Sequence, residues 1–265
     1  VAVGSCALKA NTTGVENQSI GYLSMCSNTE GSCNVAIGAA LGSNTTGGDN
    51  VGIGFIALSN NTTASCNTAV GRSALQENTT GCGNTAVGRN SLDANTTGDR
   101  NVGIGRDALS SNTTADYNTS VGSEAMEVNS TGANNTAVGF KALQSNTTAE
   151  KNVAVGFCSL KDNTTGHSNV AVGSEALANN TTAANNTAVG KETLLANTTG
   201  TQNTAVGKGS LSSVTTANNN TAIGEASGAG TTTGHSNTAV GGAALSANTT
   251  GIRLSLIHIS EPTRL

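Results

Sequence analysis

The chain has 265 residues, with 12 Lys and Arg against 16 Asp and Glu and a net charge of −4, a balance that argues against a nucleic-acid partner. Aromatics make up 2% of the residues and there is one proline beside 34 glycines, which excludes collagen, whose triple helix needs Gly at every third position and abundant proline. No apolar run is long enough to cross a membrane as a helix, so no membrane insertion is expected of this segment.

In chain order, every element belongs to one repeat. "NTAVGRSALQENTTGCG" (67–83) is followed at once by "NTAVGRNSLDANTTGDR" (84–100). The glycine that closes the first five residues falls at Gly4, Gly21 and Gly38, then at Gly54, Gly71, Gly88 and onward to Gly241. The step is seventeen residues throughout, except for one of sixteen between Gly38 and Gly54. So short a period over residues 1–251 is the mark of a solenoid, in which each repeat is one unit stacked on its neighbours. Residues 252–265, "IRLSLIHISEPTRL", lose the register and resemble the read-through of a sequencing adapter, so no function is assigned to them.

Numbered from its first Asn, the repeat reads N-[TV]-A-[VI]-G-x-x-[AS]-L-x-x-N-T-T-[GA]-x-x. Position 3 is always small, and position 4 is always Val or Ile. Position 9 is Leu, with Met25, Met126 and Gly228 as departures; position 12 is Asn except at Val214 and Thr231. Positions 2–5, the [TV]-A-[VI]-G run, alternate by twos with a branched residue at 4, which predicts a short strand. The remaining segments are short and bounded by Gly, Asn and Thr, which favour turns over helix. The expected fold is all-β: a parallel β-solenoid with one coil per 17-residue repeat and about 15 coils, a rod of about 70 Å at the usual strand spacing. Disorder would suit the composition, but a disordered chain has no need to keep its Val and Leu columns in register.

Stacking turns each column into a ladder. In two successive coils the ladder residues are Asn67, Val70, Gly71, Leu75 and Asn78, then Asn84, Val87, Gly88, Leu92 and Asn95. The Asn columns are expected at corners, where Asn tolerates left-handed angles and its amide can bond from coil to coil. Gly at position 5 and Gly or Ala at 15 would serve the other bends, with ordinary negative φ wherever 15 is Ala. Along the strand, positions 2 and 4 share one face, and 3 and 5 the other. If the small face fills the coil, the branched face is left for packing between chains; if Val and Leu fill it, a single chain is tenable. The alternation alone does not choose, although the modest apolar content of each coil favours oligomerisation.

"NVAIG" (Asn34–Gly38), "NVGIG" (Asn50–Gly54) and the many "NTAVG" copies resemble the S-V-A-I-G motif of YadA-like head repeats. These belong to trimeric autotransporter adhesins of Gram-negative bacteria, and related repeats occur in phage tail fibres. The resemblance covers residues 1–251 and rests on one short motif repeated many times. It implies a left-handed β-roll, a homotrimer and an extracellular place on a bacterial surface or a virion. The chain departs from the family in its longer repeat and in Thr where Val is usual at position 2. The added N-T-T-[GA] segment is closer to Asn/Thr-rich arrays of phage and environmental fibres.

Chemistry-bearing residues are few. His167 and His235 share position 16 four coils apart, and no Ser/His/Asp set or fixed carboxylate pair recurs, so an enzyme is not expected. No cofactor or metal is expected either, because the six cysteines lack ligand spacing and the acids are scattered. Cys66 and Cys82 fall in neighbouring columns of adjacent coils, within reach of a disulfide; unpaired substitution at variable positions is the alternative reading. Charges gather at positions 6 and 7, a solvated edge that also carries Tyr22, Phe55, Phe140 and Phe157, which make a candidate contact edge for a host-surface protein or glycan receptor or, equally, a cover over the Val/Leu layer. The reading reached is a structural and adhesive fibre segment. The alternative is an ice-binding β-solenoid using Thr ladders, which the adjacent Thr pair at 13 and 14 disfavours because neighbours on a strand point to opposite faces.

Overall fold

The computed structural model describes residues 1–257, so His258 and the rest of the tail lie outside the described residues. The chain divides into two units, Val1–Val138 and Gly139–Leu265. In the first, the strands are β1 (Ala2–Val3), β2 (Gln18–Ile20), β3 (Val35–Ile37), β4 (Val51–Ile53), β5 (Thr68–Val70), β6 (Thr85–Val87), β7 (Val102–Ile104), β8 (Thr119–Val121) and β9 (Thr136–Val138). In the second they are β10 (Val153–Val155), β11 (Val170–Val172), β12 (Thr187–Val189), β13 (Thr204–Val206), β14 (Thr221–Ile223), β15 (Thr238–Val240) and β16 (Ser255–Ile257). Within each unit every strand pairs in parallel with the next, and no helix occurs among the described residues. The fold is therefore an all-β parallel β-solenoid with a 17-residue coil. Register follows the columns: Thr68, Ala69 and Val70 lie beside Thr85, Ala86 and Val87. Beyond the repeat, Ser255–Ile257 pairs with Thr238–Val240 as one more strand.

Seventeen residues close a coil because four of them take positive φ. In the coil that begins at Asn67 these are Gly71 (139°), Ser73 (57°), Leu75 (50°) and Gly83 (69°), at positions 5, 7, 9 and 17. Position 5 needs glycine for two reasons: its φ, and a neighbour so close that a Cβ on Gly71 would lie 2.5 Å from the Gly88 carbonyl oxygen. Position 9 is less expected, since left-handed geometry costs a leucine about 1–2 kcal/mol. Full burial of the side chain, worth about 1.5–3 kcal/mol, offsets that cost: Leu75 and Leu92 are completely buried. The Asn columns and position 15 do not take left-handed angles; the bends fall beside them.

The one-residue deletion is absorbed outside the sheet. Val35 still pairs with Val51 and Ile37 with Ile53, while the coil after Gly38 has no left-handed residue before Leu41. Position 7 is the residue that is missing, and Gly38 relaxes to a φ of 95°.

The coil interior is small and partly polar. Ala at position 3, Ala or Ser at 8, Leu at 9 and Gly or Ala at 15 line it, together with both Asn columns, as Ala69, Ala74, Leu75, Asn67 and Asn78 show. Burying an amide is tolerable only when its hydrogen bonds are made, and these are. Asn84 Nδ2 donates to the Gly98 carbonyl at 2.8 Å, while its Oδ1 accepts from the Asn101 backbone N–H at 2.9 Å. Asn95 Nδ2 donates to Asn78 Oδ1 at 2.9 Å and to the same Gly98 carbonyl at 3.0 Å. One position-15 carbonyl thus ties the two Asn ladders together in every regular coil. Where Val214 replaces Asn at position 12, the ladder stops and Asn197 Oδ1 is left buried without a partner.

Candidate functional site

With the interior filled by position 3, the strand turns positions 2 and 4 outward. Ala86 is completely buried between half-buried Thr85 and exposed Val87. The pattern recurs along β2–β9, with Ile20 at 43% exposure, Ile37 at 40% and Ile104 at 38%, and along β10–β15, where Val172, Val189 and Ile223 are exposed. Val70 and Val87 are therefore not interior residues: the apolar content of the coil comes from Leu75 and Leu92 alone among the ladder residues. The outcome is a strip, one strand wide, of Thr or Val and Val or Ile, repeated at the strand spacing of about 4.8 Å. Contiguous apolar strips of this kind mark contact surfaces.

The threonines of "NTT" behave differently from each other. Position 13 spends its hydroxyl on the next coil, as Thr79 Oγ1 does toward the Thr96 carbonyl at 3.0 Å. Position 14, as at Thr80 and Thr97, is exposed. Only one of the two Thr columns is free to meet a ligand.

The candidate contact edge is not a single cluster. In the second unit, Phe140 and Phe157 stack with centroids 5.7 Å apart and planes at 19°, and Lys141 Nζ lies 5.3 Å over the Phe140 ring. In the first unit, Tyr22 and Phe55 share the column but are separated by the coil of Ala39. That intervening coil is the sixteen-residue one, and the residues next to Tyr22 and Phe55 are Leu23 and Ile56, where the coils from Ser73 to Lys141 carry polar side chains. The deletion is thus flanked by Tyr22 at 65% exposure, Leu23 at 38% and Phe55 at 60%. Coincidence of the short step with two apolar dipeptides was the available signal, and it is visible only once the deleted position is known to be 7. A further pair went unnoticed in the sequence: Arg100 Nη1 donates to Tyr117 Oη at 2.6 Å, one coil apart at position 17.

Elsewhere the edge is ionic. Arg106 pairs with Glu124 and, at 3.1 Å, with Asp107; Lys191 pairs with Glu192 at 3.1 Å. Such exposed pairs contribute about 0–1 kcal/mol each. His167 and His235 are exposed, each with Nδ1 3.2 Å from the hydroxyl of the following serine. Among the described residues no group of three or more His, Cys, Asp or Glu could hold a metal ion, and no helix is long and apolar enough to cross a membrane.

Among the described residues Asp93 is the one strongly perturbed carboxyl. Partial burial, opposed by backbone hydrogen bonds and reinforced by the negative charges of Asp107 and Glu77, raises its pKa to about 6, and its Oδ1 has no partner. An unfolded Asp titrates near 3.9, so the folded chain takes up this proton first as the pH falls. Charged Asp93 therefore costs stability above its folded pKa, and the cost disappears by about pH 4. Asp93→Asn should raise the thermal midpoint at neutral pH and leave it unchanged near pH 4. An equal shift at both pH values would show that titration is not the cause.

Comparisons of the chain with protein-family models, with curated proteins and with solved structures return no match.

Proposed function

We propose that this chain is a structural and adhesive segment of an extracellular fibre, a bacterial surface adhesin head or a phage tail fibre, in which three copies pack along their branched strand faces. It works through length and repeated display of one surface, with no catalytic step. The observation that carries the reading is the outward column of Val and Ile at position 4. A solenoid whose interior holds mainly Ala, Leu and Asn places its remaining branched side chains in water, and packing copies together would bury them. The aromatic residues at position 6 lie beside this strip in sequence and remain available at its border for a protein or glycan receptor. The motif resemblance points the same way.

Charges within the strip test this. Val70→Lys combined with Val87→Lys adds two cations where the copies would meet, and burying them unpaired is prohibitive. Both residues point outward, so the coil itself should survive with its circular dichroism unchanged. Light scattering should then report single chains for the double variant and trimers for the parent. Trimers in both would remove the strip from the interface.

The same rows support a second reading, ice binding, because Thr at 2 and Val at 4 project from one flat face at a regular spacing. Under that reading the chain is a monomer, the strip stays open, and dilute protein shows thermal hysteresis. Monomers without hysteresis would leave neither reading standing.

A further inference from the structure

Cys66 and Cys82 stand at positions 17 and 16 of adjacent coils, and both are exposed. They line one surface cavity of about 260 Å³ together with Gly83, Asp99 and Arg100. Neighbouring strands lie about 4.8 Å apart and successive Cα atoms 3.8 Å apart, so one step along each direction separates the two Cα atoms by about 6 Å. That is within the range a disulfide spans. No other two cysteines are so placed. Cys33 shares the column of Cys66 but is kept from it by the coil of Asp49, Cys6 and Cys158 occupy position 7, and Cys26 occupies position 10.

We propose that Cys66 and Cys82 form a redox-dependent staple between consecutive coils. As described, both thiols are free, and Cys82 Sγ lies 3.4 Å from the Thr80 carbonyl of its own coil. Closure needs a side-chain rotation at Cys82 and no change of backbone register, because the stacking bond from Gly83 N–H to the Ser65 carbonyl at 3.2 Å holds the two coils together. The oxidant is a low-molecular-weight disulfide such as oxidised glutathione. One cysteine thiolate attacks it, forming a mixed disulfide and releasing one glutathione thiolate. The second cysteine thiolate then attacks the protein sulfur of that mixed disulfide and expels the other glutathione. The protein loses two thiol protons and two electrons, and the oxidant gains both as two glutathione thiols.

The staple closes a loop of one coil, a constraint that acts mainly by restricting the unfolded chain. It would fasten the coil that begins at Asn67 to the one before it, which begins at Asn50, without altering either strip. This inference is independent of the fibre reading: it concerns one chain, and oligomeric state does not enter it.

Incubation of the whole chain with oxidised glutathione, followed by thiol alkylation and proteolysis, tests it. Trypsin cuts after Arg72, between the two cysteines, and chymotrypsin cuts after Phe55, which frees Cys66 from Cys26 and Cys33. The expected product is the fragment ending at Arg72 joined to the fragment 73–89, separable by reductant, with the oxidised chain melting at a higher temperature than the reduced one. Cys66→Ser and Cys82→Ser should each abolish the link while keeping the parental circular dichroism. Persistence of all six thiols, stable glutathione adducts on both cysteines, or a link to any other cysteine would overturn the proposal. An intermolecular link at Cys66 or Cys82 would overturn it as well.

Discussion

Gly88→Ala should destabilise the chain severely, by strain of about 1–3 kcal/mol from the backbone angle and a comparable amount, about 1–3 kcal/mol, from overpacking. Gly88 has a φ of 133°, and a Cβ there would stand 2.5 Å from the Gly105 carbonyl oxygen of the next coil. That oxygen belongs to the stacked backbone, so it cannot move without disturbing the ladder on both sides. A companion substitution separates this from a general intolerance of bulk. Gly81, at position 15, also lacks room, with a Cβ 2.4 Å from the Gly98 carbonyl, but its φ is not left-handed. Moreover, the same column holds Ala64 and Ala115 buried in other coils. Gly81→Ala should therefore shift the urea midpoint little, and Gly88→Ala a great deal, at matched chain concentration. Equal effects would mean that crowding alone, and not the angle, sets the invariance of position 5.

The second large effect is expected inside the coil. Asn84→Ala removes the acceptor of the Asn101 backbone N–H and one of the two donors to the Gly98 carbonyl. An orphaned buried donor costs about 1–3 kcal/mol, and the lost hydrogen bond to Gly98 adds about 1 kcal/mol. The total of about 2–4 kcal/mol is a large share of the stability of an ordinary domain. Asn60, at position 11, is the control: its amide reaches the Glu77 carboxylate at 2.7 Å on the exposed surface, and Asn60→Ala should change stability by about 0.5 kcal/mol or less. Unfolding in urea followed by circular dichroism compares the two. A small effect at Asn84 would contradict the ladder as the element that holds the coils in register.

Much of this fold was legible in the sequence because stacking makes period and structure the same thing. Columns of Val, Leu and Gly predicted a coil of seventeen residues, a strand within positions 2–5 and in-register pairing; the strand covers positions 2–4, and Thr68, Ala69 and Val70 pair with Thr85, Ala86 and Val87. What could not be read was the absolute side of each face. Alternation says that Ala86 and Val87 point opposite ways and is silent on which way is in. The deciding residues lie after the strand, where left-handed angles at positions 7 and 9 bring Leu92 back inside to occupy the space Val87 would otherwise need. Leucine is a poor candidate for such an angle on local grounds, so its column was legible as apolar and not as a corner. The Asn columns were misplaced for a related reason. Asn67 and Asn78 look like turn residues, yet the turns fall on their neighbours and the two amides point inward to bind one carbonyl.

The candidate contact edge was legible residue by residue and not as an arrangement. Phe140 and Phe157 are one period apart and stack. Tyr22 and Phe55 are two coils apart, and the deletion between them is intelligible only from the structure, which shows position 7 to be the residue that was lost.

All of these features converge on the strip formed by positions 2 and 4, and on what covers it. Sedimentation equilibrium of the unmodified chain over a wide range of concentrations tests that most directly. A particle of three chain masses is the result predicted here, whereas a single-chain mass at every concentration would contradict it.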